Sequence, residues 1–370
     1  MSEVGEHKVN RNINQLSQTI TRLPPAQMAD LLEAMGTNVL FKANQYLNQN
    51  IRNGGHLTAC SKHLEQAARE ILRFAQYQQA DDKKYNGMKN NNMNRLKRVQ
   101  IAQDTLSIIK QGCYQHEQSG TVDLRAGIDA CIKQTRLFTP DQLADLCPEL
   151  PVHETQIEVM NETTLEGAQR LYERGGFKRI AVLNFASAKN AGGGFLGGSQ
   201  AQEESLARSS ALYASLQECP EYYDYHRRQN KSLLYSDHMI YSPSCPVFRL
   251  DDGELLAEPY AVDFITSPAP NRGALARNQP AALGQLESIF ISRIRAVLKL
   301  AAAQGCGALV LGAWGCGVFG NQPQAVAAWF AAQLSGEGEF ANSFRHVSFS
   351  IPEDPRTATN NLSFKQAFAK

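Results

Sequence analysis

The period of the hydrophobic positions changes near residue 156, and the change divides the chain into a helical part and an alternating part. In the first part apolar residues recur every three or four positions: Met28, Leu31, Met35 and Val39 after Pro24-Pro25, then Leu64, Ala68, Ile71 and Phe74. That spacing lines one face of a helix, so residues 24–79 are expected to be helical, with a turn at Asn53-Gly54-Gly55. Residues 80–94 are polar and rich in asparagine, the composition of a linker or mobile loop. A further helix is expected from about Arg95 to Gly112, with Val99, Leu106 and Ile109 among its apolar positions. The brief basic cluster Arg95, Lys97 and Arg98 reads as its solvated face. One more short helix is expected within 121–147, before Pro148 and Pro151 break the pattern.

Beyond Gln156, short apolar runs suited to strands alternate with helical stretches. The expected strands are 157–160, 180–185, 261–266, 308–312 and 346–351. Continuous runs such as Ala-Leu-Val-Leu at 308–311 suit strands buried on both faces. Between them, 163–174 is helical and closed by Gly175-Gly176. Leu283, Leu286, Phe290, Ile294 and Val297 form a stripe that Gly305 stops, and 323–334 carries its proline in the first turn. The alternation predicts a three-layer α/β domain with a mainly parallel or mixed sheet. Phe364 and the rest of the tail beyond Pro352 show no readable pattern.

Composition narrows the function classes. At 370 residues the chain has room for about two domains on a prior of ~150 residues each. A net charge of +1 leaves no electrostatic footprint for nucleic acid. The eight cysteines are scattered without a Cys-x-x-Cys pair, and are expected to be reduced core thiols. The N-terminus is polar, and no run approaches the ~18 apolar residues of a membrane span. A soluble, cytoplasmic protein is therefore expected, although non-Sec export leaves no readable mark. The histidines are isolated and the aspartates unclustered, so neither a metal nor a cofactor is expected.

Candidate chemistry concentrates at two glycine-rich stretches. The strand ending at Phe185 runs into Gly192-Gly193-Gly194, then Gly197-Gly198, then Gln202-Glu203-Glu204. So many glycines cost backbone entropy, and the usual requirement is close approach of main chain to a ligand. If 202–218 is helical, Glu203 and Glu204 diverge by ~100° and cannot present the same face. One should hold or orient while the other transfers a proton, as cleavage of a glycosidic bond requires. A proton donor is expected in a partly desolvated pocket that raises its pKa.

The second stretch, Leu311-Gly-Ala-Trp-Gly-Cys-Gly-Val-Phe-Gly-Asn321, lies between a buried strand and a helix. Its peptide N–H groups from Gly315 to Phe319 are placed to cradle a diphosphate. Gly315-Cys-Gly317-Val-Phe-Gly320 also has the formal spacing of a dinucleotide fingerprint. The next strand lacks the acidic end that a nicotinamide site needs, and the copy closes a domain rather than opening one. Thr266 to Asn271 follows a third buried strand, so loops after 185, 266 and 312 are expected to converge on one crevice.

Three glycines, seven residues and Gln202-Glu203-Glu204 resemble the signature of the poly(ADP-ribose) glycohydrolases of the microbial type, and Gly-Ala-Trp-Gly-Cys-Gly-Val-Phe is similar to a second stretch of that family. The resemblance runs from near Arg95 to about Pro352. It implies a macrodomain-like core over 151–352, a helical accessory segment over 95–150, and a tail from 353 to 370. Residues 1–94 remain outside, a helical extension of accessory packing or protein recognition. It implies Glu204 as general acid/base, Glu203 orienting the ribose, and Gln202 and Gly192 to Gly194 as substrate contacts. Asn190 would bind ribose hydroxyls, Gly315, Cys316, Gly317 and Val318 the diphosphate, and Phe319 the distal ribose. Glu162 is expected to contact adenine, and Asn271 to line the crevice. The implied substrate is ADP-ribose or poly(ADP-ribose) on modified proteins. A mono-ADP-ribosyl hydrolase and a non-catalytic ADP-ribose reader remain the alternatives.

Overall fold

The computed structural model describes residues 93–353 and 358–369. The helical expectations for 24–79 and the linker before 93 lie outside the described residues. The chain enters through α1 (Arg95–Gln111), capped by the Asn94 side chain and ended by Gly112 in the left-handed region at φ 71°. The single helix expected over 121–147 resolves into several pieces. A hairpin of β1 (Cys113–His116) and β2 (Gly120–Asp123) is followed by α2 (Arg125–Gln134), β3 (Arg136–Phe138) and α3 (Pro140–Asp145). These elements are too short for a clear hydrophobic period, which is why the sequence hides them.

The core is a seven-stranded mixed sheet in the order β3-β6-β7-β5-β8-β9-β4. Its members are β4 (Gln156–Met160), β5 (Ile180–Phe185), β6 (Met239–Arg249), β7 (Leu255–Ser267), β8 (Ala308–Leu311) and β9 (His346–Ser350). From β7 through β4 neighbouring strands are parallel, whereas β3–β6 and β6–β7 are antiparallel. β6 is absent from the expected strands because Pro243 and Pro246 interrupt its pattern. The ladder with β7 shifts register between Ser242 and Cys245, and Ser244 in that bulge has φ 47°.

Alternation along each strand feeds two cores. Ala181, Leu183, Leu309 and Leu311 face one side, with Phe290, Ile294 and Phe330. Ile180, Val182, Ala308 and Val310 face the other, with Leu165, Leu171, Leu206 and Leu212. The first side is covered by α9 (Leu286–Ala303), α10 (Pro323–Leu334) and α11 (Ala358–Ala367). The second is covered by α2, α4 (Thr164–Arg174), α5 (Gln202–Ser209) and α6 (Leu212–Gln217). Two short helices complete the set, α7 (Pro220–Asp224) and α8 (Arg272–Asn278). The layers match the expected three-layer α/β architecture.

The structure adds one element that the sequence left unread and corrects two expectations. The tail is structured: Phe364 on α11 is fully buried, its ring 5.1 Å from that of Phe349. The helix expected over 202–218 breaks at Ser210, which turns extended and bridges to Val247. The Ser210 hydroxyl donates to Leu206 O and accepts from Leu212 N, so it serves both helix ends. The seven described cysteines are all free, but Cys147 is exposed rather than a core thiol. Among the described residues no helix is long and apolar enough to cross a membrane.

Candidate active site

Parallel strands send their carboxyl ends to one edge of the sheet, and there the loops after β5, β7 and β8 meet. Ala186 N–H donates to Ser267 O at 3.2 Å, joining the first loop to the second. Asn321, at the far end of the third loop, donates through its side-chain amide to Pro270 O at 2.9 Å and Gly315 O at 3.0 Å. Asn321 is 3% exposed. It staples two loops together, a role that spacing along the chain does not reveal. Replacing Asn321 by Ala leaves Pro270 O without its donor, while Gly315 O keeps the Asn321 N–H at 3.1 Å, and should lower stability by about 1–3 kcal/mol. Thermal melting checks the loss.

The glycines of the first loop are needed where they stand. Gly192 and Gly193 have φ of 65° and 59°, the left-handed region that a side chain resists. A Cβ on Gly193 would lie 2.4 Å from Glu204 Oε1 and 3.1 Å from Glu203 Oε2. The backbone therefore runs directly beneath both carboxylates. Gly194 N–H donates to Glu204 Oε1 at 2.9 Å. Among the described residues Glu204 Oε2 accepts no hydrogen bond, and the side chain is half-buried.

The two acidic neighbours are as different as their helical positions require. Glu203 is 3% exposed and accepts from Ser187 N at 2.7 Å and from the Asn184 side chain at 3.3 Å. Burial pushes its carboxyl up to about 8, against the Ser187, Asn184 and Gly192 hydrogen bonds; the nearby Glu204 charge adds to the rise. The desolvation expected at the proton donor thus falls on Glu203, the carboxylate expected to orient the ribose. Asn184 and Ser187 are not among the expected site residues; a lone Asn in the apolar run Ile180–Phe185 is the sole mark that either leaves in the sequence.

Because the Glu203 carboxyl is raised above its ordinary 4.5, the native state retains a proton that the unfolded chain releases. That stabilising contribution is fully present below the unfolded value and is lost as pH rises through about 8. The slope in that window is on the order of 1.4 kcal/mol per pH unit. Melting temperatures of wild type and Glu203→Gln between pH 5 and pH 8, about the range in which the linkage acts, should show a flatter slope in the variant.

Other expected residues fall differently. Gln202 accepts from Phe185 N and donates to Leu183 O and Thr164 Oγ1. Its amide ties α5 to β5 and α4. Glu162 accepts from Arg170 Nε and Nη2 at 2.9 and 2.7 Å and from Ser350 Oγ at 2.9 Å. That carboxylate therefore ties β4's end to α4 and β9. Asn271, expected to line the crevice, spends its side-chain oxygen on Ala274 N, capping α8. Asn190 is exposed, and its side chain makes no hydrogen bond among the described residues.

The third loop keeps its donors open. Gly315 has φ 73°, and a Cβ there would meet Asn321 Nδ2 at 2.5 Å. Among the described residues the N–H groups of Gly317, Val318 and Phe319 donate to no protein acceptor. Val318 is 93% exposed at the tip. The Cys316 thiol is pushed up to about 12 by burial, which keeps it a neutral packing group. The Phe319 ring lies 6.2 Å from Tyr235, a residue with φ 58°. A surface cavity of about 550 Å³ between Arg272, Leu286, Asn321 and Trp329 contains neither carboxylate. Hydrogen-bond geometry rather than cavity volume marks the acidic site.

Comparison with known proteins shows what the chain is similar to. A family model described as the catalytic domain of microbial-type poly(ADP-ribose) glycohydrolase matches residues 102–250. The poly(ADP-ribose) glycohydrolase of Thermomonospora curvata, solved with the inhibitor ADP-HPD, is 46% identical with a TM-score of 0.69. That match covers 74% of this chain and 99% of the other. The Deinococcus radiodurans enzyme, solved with ADP-ribose, is 45% identical with a TM-score of 0.61, covering 65% and 96%. The comparison with curated proteins finds no match.

Proposed function

The chain belongs to the microbial-type poly(ADP-ribose) glycohydrolases, and we propose from that membership that Glu204 is the group that transfers protons as the enzyme releases ADP-ribose from the polymer. The observation that carries this reading is the Glu204 carboxylate, with one oxygen fixed by the Gly194 amide and the other open. A polymer end would lay its diphosphate on the open N–H groups of Gly317 to Phe319 and its scissile ribose over Gly193 and Gly194. Glu204 then protonates the leaving ribose oxygen as the C–O bond breaks, and the positive charge that develops on the sugar faces the carboxylate left on Glu204. Water attacks the anomeric carbon, and Glu204 takes its proton. Glu203, buried and hydrogen-bonded, keeps α5 in register with β5. No metal enters this scheme.

Incubation with labelled poly(ADP-ribose) tests the activity, with free ADP-ribose as the expected product. Tight binding of ADP-ribose without any product release would instead support the non-catalytic reader. Residues 1–94 enter the proposal as a segment that selects modified proteins. Deleting them should spare polymer cleavage and reduce release from modified proteins; equal loss on both substrates would contradict that role.

A further inference from the structure

The turn that carries the Gly194 amide is held from behind by arginines. Three successive carbonyls, of Gly197, Gly198 and Ser199, accept from Arg95 Nε, Arg98 Nε and Arg208 Nη1, each at 2.8 Å. Arg208 shares α5 with the acidic pair. Its Nη2 donates to Gln200 Oε1 at 2.5 Å and to Ser205 Oγ at 3.3 Å, and Thr105 Oγ1 on α1 donates to its carbonyl at 2.6 Å.

Arg208 is also an unusual charge. It is 2% exposed, and no carboxylate lies within ion-pair distance of its guanidinium among the described residues. Burying a cation against neutral acceptors alone is unfavourable, so a gain elsewhere must account for it. Burial and the neighbouring Arg98 charge pull its pKa down to about 10, while the charges of Glu204 and Asp251 pull the other way. Glu204 and Arg208 stand one turn apart on α5, and the loop closes a circuit between them. Arg208 holds Ser199 O. Ser199 N–H donates to Gly194 O at 3.2 Å, and Gly194 N–H holds Glu204 Oε1.

We infer that Arg208 is a positioning residue for Glu204, fixing the Ser199–Gln200 turn and through it the Gly194 amide that orients the carboxylate. The inference rests on the proton-transfer role proposed for Glu204. A clamp of purely structural value would change melting temperature and leave turnover per folded molecule intact. A positioning role lowers kcat and spares binding of the product, because Asn321 holds the diphosphate loop separately.

The test compares wild type, Arg208→Lys, Arg208→Met and Glu204→Gln for kcat on poly(ADP-ribose) and for ADP-ribose affinity by calorimetry. Arg208→Met should lose about 100-fold in kcat and Arg208→Lys about 10-fold, as a misplaced reacting group does. Lys keeps charge and most of the volume but cannot span two acceptors, so it reads the role if the Met variant fails to fold. ADP-ribose affinity should stay within about 3-fold, the mark of an interaction made in the transition state rather than the ground state. A folded Arg208→Lys with wild-type kcat overturns the inference, and so does a parallel fall of kcat and affinity. Glu204→Gln turning over at the wild-type rate would overturn the proton-transfer role instead. A slow Glu204→Gln beside a fully active Arg208→Lys removes only the positioning role.

Discussion

Replacing Glu204 by Gln is expected to lower kcat on poly(ADP-ribose) by about 10²–10⁴-fold, the usual contribution of a positioned acid/base group. Gln keeps the size of the side chain and an oxygen that can accept from Gly194 N–H, so the loop should keep its shape. What it removes is the exchangeable proton on an oxygen that no protein group occupies. ADP-ribose binding should change little, because the donors expected to hold the diphosphate are backbone N–H groups between Gly317 and Phe319. Steady-state kinetics with calorimetry on one preparation separates the two quantities. A loss confined to affinity would mean that Glu204 grips substrate and does no chemistry.

Gly193→Ala should be nearly as damaging by a different route. The added methyl would lie 2.4 Å from Glu204 Oε1 at a backbone φ of 59°. Either the carboxylate moves or the loop abandons its left-handed turn, at a backbone cost on the order of 1–2 kcal/mol. A shift of about 1 Å in a reacting group is enough to lose roughly 100-fold in rate. Gly305→Ala is the matched control: its φ is 71°, but a Cβ there meets nothing. It should lose similar stability and keep its turnover. Equal kcat for the two variants would show that the Gly193 effect is backbone strain alone.

These expectations draw on residues of unequal legibility. The glycine run and the Gln-Glu-Glu triplet could be read because they lie in one continuous stretch, where the entropy cost of glycine demands a reason. Their convergence with the second glycine loop was readable too, since parallel strands place successive loops on one edge. The division of labour between Glu203 and Glu204 was only half readable. Helix geometry says that adjacent residues diverge, but which of them points inward depends on where β5 passes.

Asn321, Asn184 and Arg208 lay beyond reach for a related reason. Each acts on a group distant in sequence, such as Pro270 O or Ser199 O, so its role exists only after folding. Glu162 and Gln202 show the opposite case. Position beside a motif suggested ligand contact, while the folded chain commits both side chains to protein partners. β6 was hidden because two prolines mark a bulged strand as a loop, and the tail because α11 is short and its Phe364 anchor finds partners only in the folded sheet.

The central claim, that Glu204 supplies the proton to the departing ribose oxygen, is tested most directly by changing the leaving group. An ADP-riboside of nitrophenol departs without protonation, whereas the ribose hydroxyl of the polymer does not. Glu204→Gln and wild type should be compared on both substrates by single-turnover kinetics. The account predicts that the variant's loss on polymer exceeds its loss on the nitrophenyl substrate by at least about 100-fold, the lower range for acid catalysis. Equal losses on the two substrates would contradict it.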